Sequence, residues 1–233
     1  MRAILLIGTN FARTQWLAVA IMTAYLAGVG SVFGWHERRP DVQFFLEWHS
    51  YNVIFVGTMI AIPAIWSERR SRRILAVLSK GIGRWQYLGG LLFGCAIISA
   101  WFCLLVGVIT AWLCRKGGFP AGALPALILV LFLCCVTAAS AALFCSVFLH
   151  PLLATLAASA ILLLPLVTGA AGWYPPGELF PVSAIVQVLR NFQFQPPGAG
   201  IWAIATGALV ETIFFWMAAS FVFARRDVTI SPE

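Results

Sequence analysis

Glu68-Arg-Arg-Ser-Arg-Arg-Ile-Leu-Ala-Val-Leu-Ser-Lys-Gly-Ile-Gly-Arg84 interrupts two apolar runs and holds six of the chain's fifteen basic residues within seventeen positions. Uncharged sequence resumes at once with Trp85. A charged island between long apolar runs marks a point where a chain leaves a bilayer and re-enters it. Within the island, Ile74, Leu75, Val77 and Leu78 fall at the i, i+3, i+4 spacing of an apolar helix face, and arginines crowd its N-terminal side. The spacing predicts a short amphipathic helix hung between two membrane spans.

Composition sets the same class. Hydrophobic residues make up 61% of the chain and charged residues 10%, against about 45–50% and about 25% in soluble domains. The fold class is therefore an all-α integral membrane protein. A chain of 233 residues holds about six spans of about 20 residues, and nothing is left for a soluble domain. The net charge of +7 belongs beside anionic lipid headgroups. Nucleic acid is excluded as a partner, because no basic region is long enough to track a phosphate backbone. The cysteines, at 95, 103, 114, 134, 135 and 145, lie in or at the ends of apolar runs without metal-ligand spacing, and read as small core residues.

Outward from the island, the first span is expected over Trp16–Gly34, the second over Tyr51–Trp66 and the third over Trp85–Leu113. A polar loop with His36, Glu37, Asp41, Glu47 and His49 separates the first two. Metal or haem ligation by those residues is the weaker reading, since they include no tight helical His pair. From Gly117 to Gly177 no charged residue occurs, a length that needs two spans, and His150-Pro151 is the natural break between them. The fourth span is thus expected to end near Leu149, the fifth to cover Leu152–Gly172 and the sixth Ile201–Ala224.

Two flanking segments complete a single membrane domain over 1–233. Residues 1–15 read as an interfacial helix, with Ile4, Leu5, Ile7 and Phe11 leaning to one side. Arg13 interrupts the apolar core that a signal peptide would need. Residues 173–200 form a Pro- and Gly-rich external segment, inside which Val182, Ile185, Val186 and Leu189 mark a second amphipathic face. With both termini in the cytoplasm, ten Lys and Arg face inward and five outward. That is the orientation the positive-inside rule favours.

Taken together, these features resemble the permease subunit of an ABC transporter of the type-2 export family. The family's loop after the second span runs as an acidic residue, Gly-Thr-Leu, Leu-Leu, Pro, Arg and later Lys. Glu68 matches the acidic position, Ile74 the Leu, Val77 and Leu78 the pair, and Arg84 the Arg. The chain departs from the pattern at Arg72 and Arg73 for Gly-Thr, at Gly81 for Pro and at Leu91 near the Lys. The resemblance implies a half-transporter in the bacterial inner membrane. It would pair with a second permease, identical or related, and dock on ABC ATPase subunits through Glu68, Ile74, Leu75, Val77, Leu78 and Arg84. The chain has no G-x-x-x-x-G-K-[ST] loop, so ATP and Mg are expected on the partner ATPase, with no cofactor on this chain and no catalytic or metal residues.

Glu211 is the one acidic residue well inside an expected span. A carboxylate there costs about 2.5–3.5 kcal/mol on insertion scales. It is read either as a hydrogen-bonded structural group or as part of a substrate path or subunit contact. Gly90-x-x-x-Gly94, Ala96-x-x-x-Ala100 and Ala154-x-x-x-Ala158 permit close helix approach. An exporter of apolar or amphiphilic cargo is the leading functional reading. The alternative is a membrane scaffold that recruits an ATPase to an envelope assembly without moving a solute.

Overall fold

The computed structural model describes residues 2–35, 39–70, 81–118, 120–170 and 199–225, with side chains described except at 39–41, 67–70, 164–170 and 199–200. The described residues form seven helices: α1 Arg2–Thr14, α2 Trp16–Phe33, α3 Arg39–Arg70, α4 Arg84–Lys116, α5 Leu124–Phe148, α6 Pro151–Ala170 and α7 Ala199–Arg225. Five of them, α2, α3, α4, α5 and α7, are long and apolar enough to cross a membrane. The described apolar stretch of α6, Pro151–Leu163, is shorter. The chain is an all-α integral membrane protein.

The hub is α5, which packs against α3, α4, α6 and α7. Of its span residues 72% are buried, against 11% in α2 and 17% in α7, which places those two helices at the periphery. Small residues make this possible: Ala138, Ala139, Ala141 and Ala142 on α5 are fully buried. In lipid, helices associate through close packing rather than hydrophobicity, so small side chains bring backbones together. Gly57 of α3 meets backbone directly, since an added Cβ would lie 2.6 Å from the Cys135 carbonyl oxygen.

Sequence analysis placed residues 41–50 in a loop, and the structure corrects this. Helix α3 begins at Arg39, and its buried stripe runs through Val42, Phe45, Leu46, His49, Ser50, Val53 and Ile54 without a break. Charges on the other face lower the average hydropathy of residues 41–50, which hid a one-sided helix whose period is intact. His49 is therefore a core residue, fully buried, with its ring 4.2 Å from that of Phe45. Its Nδ1 donates to the Phe45 carbonyl at 2.7 Å, while Nε2 is buried without a hydrogen-bond partner.

The remaining boundaries fall close to expectation. The break at His150-Pro151 separates α5 from α6, with Pro151 at a first helical position that needs no N–H. A turn containing Gly118 at φ 70° joins α4 to α5, a conformation open to glycine at little cost. The external amphipathic segment expected within 173–200 lies outside the described residues, except for the first residues of α7.

Gly90-x-x-x-Gly94 seats α1. A Cβ on Gly90 would lie 2.8 Å from Ile7, and one on Gly94 would lie 2.7 Å from Phe11, with Gly8 facing both. Helix α2 then continues alongside α4 in the same direction. Trp101 Nε1 donates to Thr23 Oγ1 at 3.0 Å, Gly30 receives Ile109 and Gly34 receives Trp112. Lys116 Nζ closes the far end on the Gly34 carbonyl at 2.9 Å. Ala154 and Ala158 are buried in the core, whereas Ala100 is exposed.

Candidate functional site

The charged segment begins in the last turn of α3 and ends at the first residue of α4. Glu68 lies in that last turn, and its side chain is outside the described residues. Ile74, Leu75, Val77 and Leu78 lie within 71–80, also outside the described residues. What the structure describes is how the two ends of the segment are held.

At the α3 end, Ala64 and Ile65 are buried in the core shared with α5 and α6. The Trp66 ring lies 6.4 Å from that of His150, at the α5–α6 break. Pro63, inside α3, has no N–H to give the Met59 carbonyl, so the ladder is interrupted one turn before this anchor.

The α4 end is held more elaborately. Gly81 takes φ 75°, and Gly83 caps the helix in extended conformation. The Gln86 side chain returns to accept the Gly83 N–H at 3.1 Å, which is one half of a capping box. Arg84 Nη1 then donates to the carbonyl oxygens of Phe223 at 2.7 Å and Ala224 at 2.9 Å. These are carbonyls of the last described turn of α7, and a charged donor makes the hydrogen bonds to them strong. The guanidinium also lies 5.7 Å from the centroid of the Phe223 ring, which stacks on Tyr87. Trp85 and Trp216 meet edge to face, with ring centroids 6.3 Å apart.

Sequence reading selected Arg84 but missed its partners. The G-x-x-Q start of α4 was readable as a cap, whereas the contact with Phe223 joins positions 139 residues apart and has no local signal. These contacts also place helix ends together: the C-terminus of α3 with the α5–α6 break, and the N-terminus of α4 with the C-terminus of α7. The C-termini of α2 and α4 meet at the opposite end of the bundle.

Glu211 stands apart from this constellation. It lies twelve residues before Phe223 on α7, or about 18 Å along the axis. It is half-buried, and its carboxylate has no hydrogen bond or ion pair among the described residues. Its neighbour Thr212 shares a hydrogen bond of 3.0 Å with Thr137 Oγ1 on α5, and Thr137 also donates to the Ala208 carbonyl at 3.0 Å. All six cysteines are buried free thiols. Among the described residues, no three His, Cys, Asp or Glu side chains come together as a metal site.

No protein-family model and no curated protein matches the chain.

Proposed function

We propose that this chain is the membrane-spanning permease subunit of an ATP-driven ABC exporter, gripped through residues 67–84 by a separate ATPase. In this reading the chain has six spans with both termini in the cytoplasm, and it works beside a second permease, identical or related. ATP and Mg are held by the ATPase partner, and the cargo is apolar or amphiphilic.

The observation that carries the reading is the way the segment is mounted. One end is built into α3, which packs on α5 and α6, and the other into α4, which Arg84 ties to α7. A push on residues 67–84 is therefore delivered at once to α3 and α4, both of which pack on α5. Movement of these two helices on α5 is the coupling that the reading requires. Pro63 lies where α3 yields most easily, because its ladder already lacks a bond there.

The apolar stripe Ile74, Leu75, Val77 and Leu78 is assigned to a groove of the ATPase, with Glu68 at one end. Arg84 contributes by holding the other end to α7. Glu211 is assigned to the cargo path more weakly, on its half-buried carboxylate alone.

The test is affinity purification of the detergent-solubilised native protein beside the Ile74→Glu, Leu78→Glu double variant. An ATPase that accompanies the wild type and is lost from the variant is the expected result. Its retention by the variant, or its absence from the wild type, overturns the assignment. Cargo-stimulated ATP hydrolysis by the purified complex separates transport from the scaffold alternative.

A further inference from the structure

Between α4 and α5 the surface opens into a groove of about 600 Å³ with an almost wholly apolar lining. It extends from Ala100 to Ala111 on α4, and from Ala121 in the α4–α5 turn to Phe132 on α5. At about 1.5 Å per residue its length is about 16 Å. Ala100 and Ala111 supply too little side chain to fill it. Lined this way, it offers water no polar partners.

One helical turn beyond the α4 lining lies a cation. Leu104, Val108 and Ala111 recur along the α4 side of the groove, and the next residue on that face is Arg115, which is exposed. Its neighbour Lys116 donates to the Gly34 carbonyl, whereas Arg115 has no partner among the described residues.

We propose that this groove is a binding site for one anionic phospholipid, with an acyl chain along α4 and α5 and the headgroup phosphate on Arg115. A flexible hydrocarbon chain fills a narrow recess at membrane depth. The guanidinium offers a phosphate the forked donor pair that suits it. A second copy of the chain is the competing occupant, and charge argues against it. A two-fold axis along the membrane normal brings equal depths together, so the Arg115–Lys116 pairs of both copies would face each other. Like charges repel there, whereas a phosphate is attracted. The site lies at the opposite end of α4 from residues 67–84, so it stands or falls independently of the ATPase reading.

The experiment is native mass spectrometry of the full chain after exposure to mixed micelles containing phosphatidylglycerol or phosphatidylcholine. One phosphatidylglycerol per chain is expected to survive desolvation of the wild type. A preference of about fivefold over phosphatidylcholine is expected from one basic residue near a headgroup. Arg115→Gln abolishes the preference, and Ala111→Phe, at an exposed position, obstructs the Arg115 end of the groove and lowers retention of both lipids. Should Ala111→Phe fail to fold, the Arg115→Gln comparison decides alone. Equal retention of both lipids by the wild type, a preference that survives Arg115→Gln, or full retention by Ala111→Phe overturns the proposal. So does a lipid-free wild-type dimer that Ala111→Phe converts to monomer, which would make the groove an interface between copies.

Discussion

Arg84 and Phe223, at the start of α4 and the end of α7, are joined by a hydrogen bond of 2.7 Å from the guanidinium to a last-turn carbonyl. A donor with formal charge meets a backbone carbonyl in the last described turn of α7. The charged segment is thereby fastened to the last span as well as to the helix it opens.

Arg84→Ala is expected to lower stability by about 1.5–3 kcal/mol, the range for a hydrogen bond to a charged group. Arg84→Lys recovers only part of the loss, because lysine is shorter and lacks the guanidinium plane that lies over the Phe223 ring. Thermal unfolding in detergent reads the difference. Equal stability of all three proteins would mean that the clasp contributes nothing to the fold.

Gly94→Val is expected to release α1 while leaving the α3–α5 core in place. The new side chain would meet Phe11 and the Gly8 carbonyl within 2.8 Å, and overpacking of this kind costs about 1–3 kcal/mol. Hydrogen exchange of the α1 amides should accelerate by about tenfold or more, since about 1.4 kcal/mol corresponds to a factor of ten. Unchanged α1 exchange contradicts the seating of α1 on this seam.

Gly57 and Gly207 should respond in opposite directions to alanine. At Gly57 the new Cβ would lie 2.6 Å from the Cys135 carbonyl and 3.1 Å from the Ala139 nitrogen, so backbone would have to move. At Gly207 nothing lies within 4 Å, and the helix gains about 0.5–1 kcal/mol from the lost backbone freedom of glycine. Fluorescence-detected size exclusion after heating should therefore show Gly57→Ala failing early and Gly207→Ala matching or exceeding the wild type.

His49→Phe is expected to preserve or raise stability, whereas His49→Ala lowers it by about 2–4 kcal/mol through the cavity left behind. Phenylalanine keeps the aromatic packing against Phe45 and removes the buried Nε2, which has no partner. Denaturant titration in mixed micelles orders the three proteins. A loss with His49→Phe as large as that with His49→Ala would mean that the imidazole holds a polar contact essential to the core.

The legible parts of this fold were those with a local or periodic cause. Apolar runs, the charged island and His150-Pro151 each act within a few residues, and α4, α5 and α7 lie close to their expected bounds. The extension of α3 over 41–50 was misread because Glu47 and His49 were weighed by polarity rather than by face. The i, i+3, i+4 stripe through Val42, Phe45, Leu46 and His49 was present all along.

By itself, the sequence determined that this chain is helical and membrane-embedded, because a bilayer tolerates only segments that satisfy their own backbone hydrogen bonds behind apolar side chains. It also determined where the charged island interrupts them. Which helices touch was decided only in three dimensions, by small residues whose absent side chains mean nothing until another backbone arrives. Gly94 is an unremarkable glycine until Phe11 lies against it. Arg84 is one basic residue among fifteen until the Phe223 and Ala224 carbonyls of α7 come within its reach.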